Sequence, residues 1–123
     1  MPGSFCYSSL METTERPWGT YTVIHKAFNH QVKTLTVNPG QRLSYQTHEH
    51  RAEYWVIVDG HGVVTLNGVE TPCNLGDAFV VEIGDAHRIA NTGDNPLTFI
   101  EVQTGSILVE SDIVRIEDDY DRE

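Results

Sequence analysis

A small all-β domain, an antiparallel barrel or two-sheet sandwich, is what this 123-residue sequence predicts. Turn residues recur about every eight to twelve positions, apolar and polar side chains alternate between them, and helical periodicity is weak, with at most a short turn near Asp112. The first expected strands, 20–25 (TYTVIH) and 31–37 (QVKTLTV), are rich in β-branched and aromatic residues. Alternation in the second puts Lys33, Leu35 and Val37 on one face, and Asn38-Pro39-Gly40 ends it. Next come 42–50 (RLSYQTHEH), 53–59 (EYWVIVD) and 62–66 (GVVTL). Asn67-Gly68 joins the last of these to 69–71 as a two-residue hairpin, because both residues tolerate positive φ. Strands 78–82 and 86–91 flank a tight turn at Gly84, and Gly93-Asp94-Asn95-Pro96 leads into 97–104.

The length suits one domain with a real core and is too short for two, so residues 1–15 are expected to form a flexible leader and 16–123 a single domain. No run of 18 apolar residues exists, so no membrane span is expected. The start of the sequence lacks the basic and apolar regions of a signal peptide, and a cytoplasmic location is the expectation. Cys6 and Cys73 fit reduced thiols, Cys73 as a small apolar filler. A net charge of −10 argues against nucleic acid, which requires an electropositive footprint. Residues 110–123 hold seven acids and two bases, and by charge alone they read as a solvated segment. The rest is only mildly acidic, which leaves room for a positive pocket.

The chemistry concentrates in QTHEHRAEYWVIVDG, residues 46–60. On a continuous strand His48 and His50 share a face with Arg42, Ser44 and Gln46. If the chain turns at Arg51-Ala52 and returns as 53–59, Glu53 opposes His50, and His48 opposes Trp55. Arg-Ala suits a primed turn poorly, so an irregular loop is the alternative. An HxH on a strand alone also fits surface or core histidines. A second cluster, GDAFVVEIGDAHRIAN (76–91), adds His87, which shares a face with Ile89 and Asn91. Two imidazoles, a carboxylate and a third imidazole converging inward make a divalent metal site.

Both stretches resemble the two cupin motifs. The first has HxH, a loop, Glu53, six residues and Gly60; the second has Gly76, Gly84, His87 and Asn91. That resemblance implies a double-stranded β-helix, with His48, His50, Glu53 and His87 on one metal. RPWGTYTVI (16–24), VKTLTVNPGQRLSYQTHEHRAEYW (32–55), GDNPLTFIEVQTG (93–105) and DIVRIEDDY (112–120) are further similar to the cupin domain of type II mannose-6-phosphate isomerases, which usually follows a guanylyltransferase domain. Two positions depart from the pattern: Tyr54 replaces a histidine, and Glu82 replaces a proline, which costs the turn rigidity. Tyr54 is expected to face away from the metal.

The resemblance implies a metal-dependent aldose–ketose isomerase on a sugar phosphate, mannose 6-phosphate to fructose 6-phosphate. Such a reaction needs a polarised carbonyl, a base to move a proton between adjacent carbons, and a grip on phosphate. One divalent ion (Zn, Mn, Co, Ni or Fe) meets the first need. Arg51 is implied as catalytic from a loop at the barrel mouth, and Glu101, alternating into the barrel with Gln103, is the candidate base. Lys33, Arg42, Gln46, Arg88 and Gln103 are candidate substrate contacts, although Lys33 and Arg88 fit equally as solvated strand-edge charges. Trp18 reads as a packing anchor, and His25, His30 and His61 as surface residues. Strand 20–25 is expected to pair across a twofold axis in a homodimer. The alternatives are a different metal cupin enzyme, an oxygenase or epimerase, and a non-catalytic sugar-binding or regulatory cupin.

Overall fold

The structure, a computed structural model, describes residues 11–120. Its eleven strands are β1 (Thr13–Arg16), β2 (Gly19–Lys26), β3 (His30–Val37), β4 (Tyr45–Thr47), β5 (Arg51–Asp59), β6 (Gly62–Leu66), β7 (Val69–Cys73), β8 (Ala78–Val81), β9 (His87–Ala90), β10 (Leu97–Gly105) and β11 (Val114–Glu117). They form two antiparallel sheets, in the orders β1-β2-β3-β10-β5-β8 and β11-β4-β9-β6-β7. No helix of the described residues is long and apolar enough to cross a membrane.

Alternation produces the two-faced sheets. β10 reads buried at Leu97, Phe99, Glu101 and Gln103 and half-buried between them. β3 and β5 flank β10, so their inward residues fall into rows across it. Leu97 faces Val37, and Phe99 lies between Leu35 and Ile57. One step further, Glu101 lies between Lys33 and Trp55, and Gln103 between Gln31 and Glu53. The large sheet is therefore apolar at one end of its inner face and ionisable at the other. The apolar end, with Val64, Ile89 and Cys73 from the small sheet, forms the core. Its burial drives folding, at roughly 1.5–3 kcal/mol for each large side chain taken out of water. The outward rows of β3, β10, β5 and β8 carry no Asp, Glu, Lys or Arg apart from Asp59 at the end of β5.

The Asn67-Gly68 hairpin forms as expected, with φ of 48° and 82° at the two residues. At Glu82 the missing proline is compensated, because the Glu82 N–H donates to Asp85 Oδ2 at 2.9 Å, a bond proline cannot make. Tyr54 faces outward and Trp18 is buried, both as expected. Cys73 is free and buried; Cys6 lies outside the described residues.

Several expectations need correction. Strand β1 begins at Thr13, inside the segment read as a leader. β2 pairs with β3 on one side and, over Gly19–Thr22, with β1 on the other, so the first half of strand 20–25 is already paired on both sides. The larger error concerns 42–50, which is not one strand. Arg42 makes an isolated bridge to Ala90, Leu43 and Ser44 are consecutively buried, and only 45–47 is β4. β4 and β5 lie in different sheets, so the hairpin at Arg51-Ala52 does not form and Glu53 does not oppose His50. Instead residues 48–50 cross between the sheets. The Asp112 carboxylate secures the crossing, accepting the N–H groups of Glu49 and His50, each at 2.9 Å.

Two charge-assisted bonds on a crossing that belongs to neither ladder should matter to stability. Asp112→Ala is expected to cost about 2 kcal/mol. Urea unfolding measures this, and a change within error of zero would show that the crossing holds without Asp112.

Candidate metal centre

Glu53 enters the interior because it alternates with Arg51 and Trp55 on β5, all three buried. His48 comes from the crossing after β4, and His87 opens β9 in the opposite sheet. The ligand atoms of His48, Glu53 and His87 lie within 4.8 Å of one another, and all three residues are buried. His48 Nε2 stands 3.1 Å from Glu53 Oε2, and His87 Nε2 stands 3.7 Å from Glu53 Oε1.

The other ring nitrogens define what these imidazoles offer. His48 Nδ1 donates to the Asp112 carbonyl at 2.6 Å, and His87 Nδ1 donates to the Asp85 carbonyl at 2.8 Å. A carbonyl can only accept, so Nδ1 carries the proton on both rings. In the neutral rings Nε2 is then a lone pair aimed at Glu53. Burial lowers the His87 pKa, which keeps that ring neutral. Two lone pairs beside a carboxylate, each ring held from behind by a carbonyl, fit a divalent cation. His48, Glu53 and His87 would hold the ion and leave positions open, as catalytic sites do. His50 does not join them. Its side chain is exposed, because the crossing breaks the alternation that was expected to align it with His48.

A cation of the protein already addresses these atoms. Arg51 is the first residue of β5 and buried, not a loop residue. Its Nε donates to Glu53 Oε2 at 2.8 Å, its Nη2 lies 3.2 Å from His48 Nε2, and its Nη1 reaches the Val109 carbonyl at 3.4 Å. Trp55 Nε1 completes the shell, donating to Glu53 Oε1 at 3.0 Å. Burial alone would raise the Glu53 pKa, but the hydrogen bond His48 gives it when charged, the charge His87 gains on protonation and the fixed charge of Arg51 hold it well below the usual carboxylate range.

Glu101 behaves in the opposite way. Burial, followed by the repulsion of Glu53, pushes its pKa up to about 8. Gln103 Nε2 donates to Glu101 Oε2 at 2.6 Å, and Gln31 Nε2 donates to Gln103 Oε1 at 2.8 Å. Two carboxyls in one interior, one ionised and one protonated, is a pairing suited to acid–base work.

These groups line a cavity of about 110 Å³ between the sheets. Although the chain is strongly acidic, five of its eight Lys and Arg residues line this cavity: Arg16, Lys33, Arg51, Arg88 and Arg115. Lys33 lines it too, buried rather than solvated, paired with Glu110 at 2.6 Å and lying 4.2 Å from the centre of the Tyr21 ring. Gln46 and Glu101 also line it. Three expected contacts fare otherwise. Arg42 is turned out by the irregular step at Leu43-Ser44 and forms a two-pronged pair with Asp119 at 2.7 and 2.9 Å. Gln103 is fully buried behind Glu101 and does not reach the cavity. Arg88 borders the cavity, but its guanidinium packs beside Tyr45 and is held by the Leu43 carbonyl and Glu117. Sequence reasoning missed Glu110, Asp112 and Arg115, because the acid count masked the signal in DIVR, where apolar residues flank a single arginine.

The fold has solved counterparts. An uncharacterised Klebsiella pneumoniae protein with a double-stranded β-helix domain superposes with a TM-score of 0.73 at 21% identity, covering 85% of this chain and 90% of that one. The domain thus has the double-stranded β-helix fold. The model of the family described as mannose-6-phosphate isomerase C-terminal matches residues 7–118, and the chain belongs to that family. Mannose-1-phosphate guanylyltransferase ManC of Salmonella typhimurium is 46% identical over 107 residues, which are 87% of this chain and 22% of that protein. Alginate biosynthesis protein AlgA of Pseudomonas aeruginosa shows the same identity and coverage. The chain therefore spans about a fifth of the length of these relatives.

Two measurements probe this chemistry. The Arg51 guanidinium holds the same two atoms a divalent ion needs, so binding there requires Arg51 to move. Arg51→Ala is expected to tighten cobalt binding about tenfold, measured by calorimetry; weaker binding would show that Arg51 supports the site rather than competing for it. The second concerns metal-free protein. The unfolded chain loses the Glu101 proton near 4.5, whereas the folded chain keeps it until about 8. Unfolding in that window releases a proton, so stability falls as pH rises between the two values. Glu101→Gln keeps the shape without the proton, so its melting temperature relative to wild type should climb from pH 5 to pH 9. A constant difference would show that Glu101 is ordinary.

Proposed function

We propose that this cupin domain is a metal-dependent aldose–ketose isomerase acting on a mannose phosphate, interconverting mannose 6-phosphate and fructose 6-phosphate. The observation that carries the reading is the pair of buried carboxyls, Glu53 and Glu101, in a cavity that five Lys and Arg side chains also line. Membership of a mannose-phosphate family supports the substrate class.

A divalent ion on His48, Glu53 and His87 would supply Lewis-acid polarisation of the sugar oxygens. The protein's own residues account for the rest. Glu101, ionised, takes the proton from C2 and returns it to C1, while one hydroxyl proton passes from O2 to O1, so the sugar is neither oxidised nor reduced overall. A pKa of about 8 puts Glu101 near working pH, where proton transfer in both directions is efficient. Gln103, clamped by Gln31, fixes the Glu101 carboxyl in place. Arg51 stabilises charge on the enediolate, and its planar fork makes lysine a poor substitute. Trp55 and Phe99 close the apolar side, their rings 5.0 Å apart, and keep water from the intermediate.

A second reading, a sugar-phosphate-binding domain without turnover, is favoured by one observation: Arg51 occupies the ligand atoms and so holds the site closed to metal. Proton exchange separates the two. Mannose 6-phosphate is incubated in deuterated buffer with protein loaded in turn with Zn, Mn, Co, Ni and Fe, and C2 deuteration is followed by NMR. Exchange and fructose 6-phosphate are expected, rising with pH towards about 8 and lost in Glu101→Gln. Binding without exchange under any metal would favour the second reading.

A further inference from the structure

Four of the five cavity cations are already engaged. Arg16 donates to the Glu15 carbonyl and the Tyr21 hydroxyl, Lys33 to Glu110, Arg51 to Glu53, and Arg88 to Leu43 and Glu117. Arg115 has no hydrogen-bond or ion-pair partner among the described residues, and its Nε is a buried donor without an acceptor. In a chain with 18 acids and 8 bases this is conspicuous, since partners of the right sign are abundant. Nearby lies a second orphan. Ser44 is 1% exposed, lines the same cavity, and its Oγ has no partner. Leaving such groups unpaired in the interior is costly, and an incoming acceptor recovers that cost.

The strand register brings these groups together. Arg115 on β11 faces Gln46 on β4, and Gln46 faces His87 on β9. Directly paired residues share a face, so Arg115, Gln46 and His87 form one inward row across the small sheet, with Ser44 two residues before Gln46. At the usual strand spacing, Arg115 stands about 10 Å from His87 along that row. That is the scale of a phosphorylated monosaccharide laid from the metal centre towards β11. A guanidinium, a hydroxyl and a carboxamide converging from one wall suit an oxyanion with several acceptor oxygens.

We propose that Arg115, with Ser44 and Gln46, forms the seat for the phosphate of the substrate, on the small-sheet side of the cavity, across from the sheet that carries Glu101. This rests on the sugar-phosphate reading above and assigns the grip to the segment that charge counting treats as solvated.

The test uses the full chain, with and without added zinc. Calorimetry measures mannose 6-phosphate, inorganic phosphate and unphosphorylated mannose against wild type, Arg115→Gln and Ser44→Ala, with folding checked by circular dichroism. Arg115→Gln should weaken both phosphate-bearing probes at least tenfold, leave zinc affinity unchanged and have no effect specific to mannose. Ser44→Ala should weaken the same two probes several-fold, which preserves the test if the Arg115 variant misfolds. Wild-type affinity for both probes in either folded variant would overturn the seat. If deuterium exchange proceeds in Arg115→Gln with unchanged KM, the seat is wrong and the isomerase reading stands. If phosphate binding depends on Arg115 but no exchange occurs in wild type, the seat stands and the isomerase reading falls.

Discussion

Burying the Glu53 carboxylate between two sheets creates a charge that the protein must answer from several directions at once. Arg51 and Trp55 donate to it from its own strand, while His48 from the crossing and His87 from the opposite sheet stand beside it, placed to share an added proton or ion. Removing one partner of a buried ion pair typically costs 3–5 kcal/mol, since the survivor is left charged and unsolvated. The arrangement therefore constrains sequence far beyond one residue. It demands an arginine two positions before Glu53, an indole two after, and imidazoles whose outer nitrogens are tied to backbone carbonyls.

That constraint explains the divided interior. Leu97, Phe99, Val37, Leu35 and Ile57 fill one end of the large sheet's inner face as any sandwich core does. Two residues along, the same strands carry Glu101, Gln103, Lys33, Gln31, Glu53 and Arg51. Polar groups this deep nearly always have a partner. The amide chain Gln31–Gln103–Glu101 is such a solution, with Gln103 accepting from Gln31 and donating to Glu101. Trp55 stands on the border, its ring against Phe99 and its N–H on Glu53.

The two-sheet architecture was readable from turn spacing and alternation, because local backbone chemistry sets both. Asn67-Gly68 could be placed to the residue, since positive φ at consecutive positions admits few side chains. His48, Glu53 and His87 were legible through motif spacing. His50 and Arg42 were misplaced for a common reason: alternation was extended over 42–50, where the chain leaves one sheet for the other. Nothing in Leu43-Ser44 or Glu49-His50 announces that break. Its cause lies about 60 positions away, in the Asp112 carboxylate. Arg115 was hidden by composition, because an average over an acidic tail cannot reveal which single side chain turns inward.

The two halves of the centre belong to parts of the molecule with unequal resistance to opening. Glu53 and Glu101 ride on β5 and β10, long strands paired on both sides. His48 follows β4, three residues joined to β9 by a single register pair, Gln46 with His87. Local opening follows the thinnest ladder, so amides around β4 and β11 exchange with solvent well before those of β10. Local opening there would withdraw His48 while both carboxyls stayed in place. A centre built this way can come apart locally while both sheets remain paired.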